Sequence, residues 1–339
     1  MSLKQIAELT GVSPATVSRV LNNPDYHCQD RAVTEKIREA ARKSGYVPNS
    51  SARELKKGSV HSDNVFKVDV FLARFNSINE DAFFNEVFRH LETEMINQRC
   101  VLNQILKAPD IALRKSGNEL IRSVGLVILG KCPSNLVYEL KKEYKAVVAI
   151  DRNPTEYELD EVICNGAKAA STAIEYLLSL GHRSIGYIGD CNMESRYSGY
   201  YECLLGHRIP LIYDYVVSTG QTREEGYRAY DRLAEKGRQP TAVFCANDVT
   251  ALGFLQAMKD KTGRKKKDVY RPAVVSIDDI EEASLFSPML TTVHIPKKDM
   301  VHMAVMLLCD RLNGLHQEYV RVEFPCHIMI RESSGVHVY

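Results

Sequence analysis

Gly11-Val12-Ser13-Pro14-Ala15-Thr16-Val17-Ser18-Arg19-Val20-Leu21-Asn22 is the stretch on which the reading of this chain turns. Gly11 ends a preceding helix, Ser13 offers an N-cap, and Pro14 takes the first helical position, where a missing N–H costs nothing. Val17, Val20 and Leu21 share one side of the new helix and predict its buried face. Ser13, Pro14, Ala15, Thr16, Ser18, Arg19 and Asn22 are left outward. Small hydroxyls, a methyl, a guanidinium and an amide near a helix N-terminus suit a DNA major groove. Hydroxyls reach phosphates there, and Arg19 can pair with the two acceptors of a guanine. At this point a small solvated helical bundle with no nucleic-acid role stays open as the alternative.

The flanking residues complete the unit. Ser2-Leu3-Lys4-Gln5 is a capping box, followed by Leu3, Ile6, Ala7 and Leu9 on one expected face. A third helix is predicted after Asp30, with Val33, Ile37, Ala40 and Ala41 inward and a stop at Gly45. Three short helices with a glycine turn between the first two make a helix-turn-helix. Residues 1–60 hold ten Lys/Arg against six Asp/Glu, although the whole chain has 44 against 43. A basic end on a weakly acidic body points to a polyanion partner for that end alone. Asn49 then caps residues 50–57, which stop at Gly58. Two turns are too short to be a stable helix alone in water, so this segment is expected to order on DNA.

Beyond Val68, β-rich runs alternate with helical stretches. Strands are predicted over 68–73, 101–106, 124–130, 146–151, 184–190, 214–219, 242–246 and 273–277. Helices are predicted over 83–98, 166–180, 223–236 and 249–261. That alternation predicts an α/β core of parallel, doubly wound sheets, and its length favours two similar lobes over one sheet. A ligand would then lie in the crevice at the carboxyl ends of the strands. The 339 residues, 45% hydrophobic and 26% charged, fit an ordinary globular chain of two or three domains. No apolar run approaches a membrane span, and the start lacks a secretion segment, so a cytoplasmic protein with no membrane partner is expected. The nine cysteines are scattered without C-x-x-C spacing, which predicts reduced thiols, no metal site and no cofactor. The basic run at residues 264–267 reads as a solvated turn.

Several motifs taken together identify the chain as similar to the LacI/GalR family of bacterial transcription repressors. GVSPATVSRVLNN is joined by Gly45-Tyr46-Val47-Pro48-Asn49 and Ser51-Ala52-Arg53-Glu54-Leu55. Ala146-Val147-Val148-Ala149-Ile150-Asp151 and Leu180-Gly181-His182-Arg183-Ser184-Ile185-Gly186-Tyr187-Ile188-Gly189 follow. Arg196-x-x-Gly199-Tyr200, Ala246-Asn247-Asp248, Ser276-Ile277-Asp278-Asp279 and Pro288-Met289-Leu290-Thr291-Thr292-Val293 complete the series in order.

The resemblance implies a helix-turn-helix at 1–48, a hinge helix at 49–58 and a two-lobed core like periplasmic binding proteins at 64–339. Lobe one would hold about 64–163 and 294–321, and lobe two about 164–292 and 322–339, joined by crossovers near Cys164, Val293 and Val322. It implies that Ser51, Ala52 and Leu55 meet the minor groove, with Leu55 wedged between base steps. It also implies a homodimer on double-stranded operator DNA, and a small sugar held by Phe83, Phe84, Asp151, Arg196, Asn247 and Asp278. Gln221 stands where many members carry an aromatic wall, and Asn79-Glu80-Asp81-Ala82 replaces a common loop before the two aromatics. Asp279 reads as a cap more than a ligand. The 106–125 stretch, the Gly130-Lys131-Cys132-Pro133 turn and the Ser50-Ser51-Ala52-Arg53 hinge are similar to regulators of galactoside utilisation, which makes a galactoside one expected effector.

Two other kinds of protein could carry such a core. A periplasmic-type sugar-binding protein would share the core but has no use for a DNA-reading end. An α/β enzyme would need a nucleophile elbow, a P-loop or a dinucleotide fingerprint. G-x-S-x-G, G-x-x-x-x-G-K-[ST] and a strand-borne G-x-G-x-x-G are all missing from the sequence, so no catalytic residue is expected.

Overall fold

Ile6, Ala7, Val17, Val20, Ile37 and Ala41 form a small closed core among three helices: α1 (Leu3–Thr10), α2 (Pro14–Asn22) and α3 (Arg31–Lys43). The computed structural model describes residues 3–22, 26, 30–43, 65–74, 77–107, 123–150, 158–192, 194–261 and 270–335. The turn between α1 and α2 needs Gly11, whose φ of +70° is a left-handed conformation that side chains disfavour. Ser13 caps α2 as expected, its Oγ accepting the Thr16 N–H at 3.1 Å. Leu9, expected inside, is 61% exposed instead. The buried stripe of α1 runs through Ile6, Ala7 and Thr10. Thr10 can take the inward place because its hydroxyl donates to the Ile6 carbonyl at 2.6 Å, leaving no polar atom stranded.

Residues 65–339 form the second compact unit. In chain order it contains β1 (Phe66–Leu72), α4 (Ala82–Asn97), β2 (Cys100–Lys107), β3 (Gly125–Leu129), α5 (Ser134–Glu143), β4 (Ala146–Ile150) and β5 (Asp160–Cys164). Next come α6 (Gly166–Ser179), β6 (Ile185–Gly189), α7 (Ser195–Gly206), β7 (Val216–Ser218), α8 (Arg223–Ala234) and β8 (Ala242–Cys245). The last are α9 (Asp248–Lys261), β9 (Ala273–Asp278), α10 (Glu281–Leu285), β10 (Thr291–His294), α11 (Lys297–Leu312), β11 (Arg321–Phe324) and β12 (His327–Met329). They build two six-stranded sheets, ordered β11-β5-β4-β3-β1-β2 and β12-β10-β9-β8-β6-β7. The chain passes from one sheet to the other after β5, after β10 and after β11.

Every pairing is parallel except that of β10 with β12. Helices on both faces explain why β3, β4, β6 and β8 are buried along their whole length. All eight expected strands are present, and four more were not foreseen. β5 reads Asp-Glu-Val-Ile-Cys, and its two acids disguise a fully buried strand. Asp160 is tolerated there because Arg311 grips it at 2.5 and 2.9 Å, while His316 and the Val320 N–H approach at 3.1 and 2.9 Å. β10 is only four residues long, and β11 and β12 are short and half-buried. The long helix α11 returns to the first sheet, burying Met300, Val301, Ala304, Val305 and Leu308 against it.

Candidate functional site

Four neighbouring strands of the second sheet, β7, β6, β8 and β9, deliver the polar residues singled out from the sequence. Arg196 stands in the first turn of α7 after β6, Gln221 lies between β7 and α8, Asn247 follows β8, and Asp278 ends β9. Parallel strands all present their carboxyl ends to one rim, and that is why residues scattered over 82 positions meet there.

Arg196 is 2% exposed and is held by its own neighbourhood. Glu194, the N-cap of α7, accepts from Arg196 Nε at 2.8 Å and from Nη2 at 2.9 Å. Arg196 Nη1 donates to the Ala246 carbonyl at 2.7 Å, and Nη2 donates again to Gln221 Oε1 at 2.8 Å. Four of its five N–H groups are thereby occupied. Because Gln221 Oε1 faces the guanidinium, Gln221 Nε2 must point elsewhere; it is buried and has no partner among the described residues. Gln221 adopts φ +65°, locked by Asn247 Nδ2 donating to its carbonyl at 3.2 Å. Asn247 also caps α9, its Oδ1 accepting from the Thr250 N–H at 2.9 Å.

Asp278 and Asp279 form a corner with φ of +124° and +49°, uncommon for residues with side chains. Both corner carbonyls accept from the Lys297 ammonium, at 2.7 and 2.8 Å. Lys297 is 6% exposed, pairs with Glu86 of α4 at 3.2 Å and stands 5.5 Å from the centroid of the Phe83 ring. Glu86 in turn accepts from the Glu281 N–H at 2.6 Å. One ammonium therefore ties the first lobe's α4 to the end of β9. Phe83 and Phe84 meet edge to face at 5.2 Å, and both are buried.

The adjacent acids have separate fates. Burial pushes Asp279 up, but hydrogen bonds from His294 at 2.7 Å and Arg331 at 2.6 Å outweigh it and hold the carboxyl below its usual range. Its carboxylate pairs with Arg331 and His294 and is not the expected cap, a place that Ile280 takes at the start of α10. Asp248 is wholly buried, which raises its carboxyl. Hydrogen bonds from Ser276, Thr292 and the Ile280 N–H, at 2.5, 2.6 and 2.8 Å, oppose that rise. It braces β9 and β10 behind the rim.

On the small unit, Ser13, Pro14, Ala15 and Arg19 are exposed, and Thr16 and Ser18 half-buried. Asn22 closes α2. Ser51, Ala52, Leu55 and Asp151 lie outside the described residues. Sequence reasoning missed Glu194, Glu86 and Lys297. Glu194 had a faint signal, an acid two residues before an arginine at a helix start; Lys297 and Glu86 had none, since they meet across 211 positions. Among the described residues no helix is long and apolar enough to cross a membrane.

Residues 2–49 match the family described as bacterial regulatory proteins, lacI family, and residues 174–334 match the periplasmic binding protein-like domain. The HTH-type transcriptional repressor CytR of Escherichia coli is 29% identical over 343 residues, covering 98% of this chain and 96% of its own. The probable HTH-type transcriptional repressor ExuR of Bacillus subtilis is 25% identical over 339 residues, with 98% of each chain covered. These relatives are repressors, not enzymes. The regulator CelR in complex with cellobiose superposes with a TM-score of 0.67 at 24% identity, covering 98% of this chain and 99% of that one. The lac repressor dimer bound to operator and the anti-inducer ONPF gives 0.66 at 20% identity, with 98% and 99% covered. Both structures show the fold.

Proposed function

Because residues 2–49 match the lacI family of bacterial regulatory proteins and the full-length relatives are repressors, we propose that the chain is a repressor whose grip on operator DNA is set by a small polyhydroxylated effector. Residues 1–48 read the operator through the outward face of α2, 49–58 act as hinge, and 64–339 bind the effector and pair two copies. The relatives' names support repression, and the solved likenesses, one holding cellobiose and one a dimer on its operator, support the division of labour.

The observation that carries the effector reading is the half-satisfied rim. One N–H of Arg196 and the buried Nε2 of Gln221 lack partners among the described residues, on a scaffold otherwise fixed by hydrogen bonds. Buried donors without acceptors are costly, and a hydroxyl-rich ligand supplies the acceptors. Asp278 adds a carboxylate that can accept from two sugar hydroxyls. A galactoside is one member of this class, and the tests should include hexuronates, pentoses and glucosides as well.

A thermal-shift screen of these sugars, followed by calorimetry, identifies the ligand. Asp278→Asn should weaken that binding at least about tenfold, the loss of a charge-assisted hydrogen bond, while leaving effector-free operator affinity unchanged. An operator titration with and without the sugar reads the coupling, typically about 1–3 kcal/mol. Sugar binding with no change in affinity for any selected operator would favour the plain sugar-binding protein instead. A purine that alters operator affinity where no sugar does would replace the effector class and leave the repressor standing.

A further inference from the structure

Away from the rim, α6 and α7 carry three side chains that the repressor reading does not use. We propose that Glu175, Cys203 and His207 form a site for one divalent cation of the zinc class, on the exposed seam between these two helices. Their ligand atoms all lie within 4.8 Å of one another. Cys203 sits in the last turn of α7, and His207, four residues on, is the residue that caps it, so both project from one face. Glu175 meets them from α6. His207 Nε2 lies 2.7 Å from Glu175 Oε1, and Cys203 Sγ donates to the same oxygen at 3.6 Å.

The helices hold this spacing independently of the three side chains. A Cβ on Gly199 would fall 2.3 Å from the Ala167 carbonyl oxygen, so the α6 and α7 backbones touch one turn before Cys203. A tetrahedral zinc ion with bonds of about 2.0–2.3 Å sets its ligand atoms about 3.3–3.6 Å apart. The sulfur–oxygen distance already meets that. The nitrogen–oxygen pair needs to open by roughly half an ångström to fit the same tetrahedron, an adjustment two half-exposed side chains, at 44% and 55%, can make by rotation.

The donor set selects the ion. Thiolate with imidazole favours zinc-class metals over calcium or magnesium, which want oxygen alone. The negative end of the α7 dipole lies beside the cation and favours it. Three protein ligands leave a fourth position for water. On binding, the Cys203 S–H bond breaks and a metal–sulfur bond forms, with the proton released to solvent. His207 gives its Nε2 lone pair and keeps its proton on Nδ1, and Glu175 exchanges its hydrogen bonds for the metal. No electron is transferred. The spacing C-x-x-C is blind to such a site because its ligands come from two helices and include one cysteine.

The test uses the reduced full-length chain with Zn²⁺ and, as a spectroscopic probe, Co²⁺. We expect one ion per chain at micromolar or lower Kd, a thiolate-to-cobalt absorption band, and a raised melting temperature with metal. Cys203→Ser should abolish the band, and His207→Gln should cut affinity at least about tenfold. Both variants should fold, since these side chains are partly exposed, and circular dichroism checks it. Sub-stoichiometric binding, a cobalt complex without the band, or a band that survives in Cys203→Ser overturns the proposal. In that event the His207–Glu175 contact is a surface ion pair of little energetic consequence.

Discussion

Lys297→Met tests whether the ammonium between α4 and β9 holds the candidate rim in shape. Methionine keeps the length and bulk of the stem but removes three contacts, two to the corner carbonyls at 2.7 and 2.8 Å and one to Glu86 at 3.2 Å. Breaking a buried pair from one side typically costs about 3–5 kcal/mol, because the other charge stays buried. Here Glu86 keeps the Glu281 N–H at 2.6 Å and is 13% exposed, which places the cost near the lower end, about 3 kcal/mol. The corner it releases has two residues at positive φ, each costing on the order of 1–3 kcal/mol to hold, so the corner should relax and carry Asp278 with it. Urea unfolding of the full chain should show the midpoint shifted by that amount, with Lys297→Arg intermediate because it keeps the charge. Effector affinity should fall alongside stability. A Met variant within about 1 kcal/mol of the parent, the range of an exposed pair, would refute the idea that Lys297 is a structural clasp.

Three further outcomes follow from the same geometry. Arg19→Ala should cost about 1–3 kcal/mol of operator affinity and relax discrimination at one base pair per half-site, read by fluorescence anisotropy on single-base variants. Asp160→Asn should destabilise the core by about 3 kcal/mol at neutral pH, since a buried carboxylate loses its charge opposite Arg311. Burial raises Asp160, but hydrogen bonds from Arg311, Val320 and His316 outweigh it and depress the carboxyl. The stability it contributes is therefore complete above about pH 4, where the unfolded group is ionised, and is lost as pH falls through the folded value. The gap between the two proteins should close on that acid side, in denaturation curves taken across pH. Finally, Ile96 at the end of α4 and Leu285 in α10 are 76% and 75% exposed. Replacing both with aspartate should convert a dimer to monomers in sedimentation, and an unchanged dimer would move the interface elsewhere.

Patterns confined to one segment were legible in the sequence, and relations between segments mostly were not. Ser13 and Pro14 announce α2 because capping is a matter of three adjacent residues, and strands such as β3 and β4 announce themselves because both faces are buried. Leu9 misled because a helical stripe is about one hundred degrees wide and Thr10 could compete for it by bonding to Ile6. β5 was hidden because Asp160 is neutralised by Arg311, 151 positions away. The rim shows the same division. Arg196, Asn247 and Asp278 were found by motif and by their places at strand ends. Glu194, Gln221 Oε1 and the Ala246 carbonyl, which decide how Arg196 is oriented, became visible only with the strands side by side.

That orientation bears on how an effector could act under the proposed reading. An arginine free to swing would spend side-chain entropy on meeting a ligand, commonly about 0.5–1.5 kcal/mol for each such side chain. Arg196 has already been immobilised by Glu194 and Ala246, and Gln221 by Arg196 and Asn247. A ligand that accepts from the remaining Arg196 N–H and from Gln221 Nε2 therefore gains hydrogen bonds without paying for order. The same ligand meets Asp278, whose backbone is pinned by Lys297, and Lys297 is pinned by Glu86 of the other lobe. Contact at β9 is thus mechanically a contact with α4. An effector that favours one setting of the Lys297 clasp over another has a short, packed route by which to bias the two lobes, and its leverage is limited to that difference in affinity. If Lys297→Met abolished coupling to DNA while sugar still bound, this route would be the one in use; coupling that survived the substitution would place it on the strand crossovers instead.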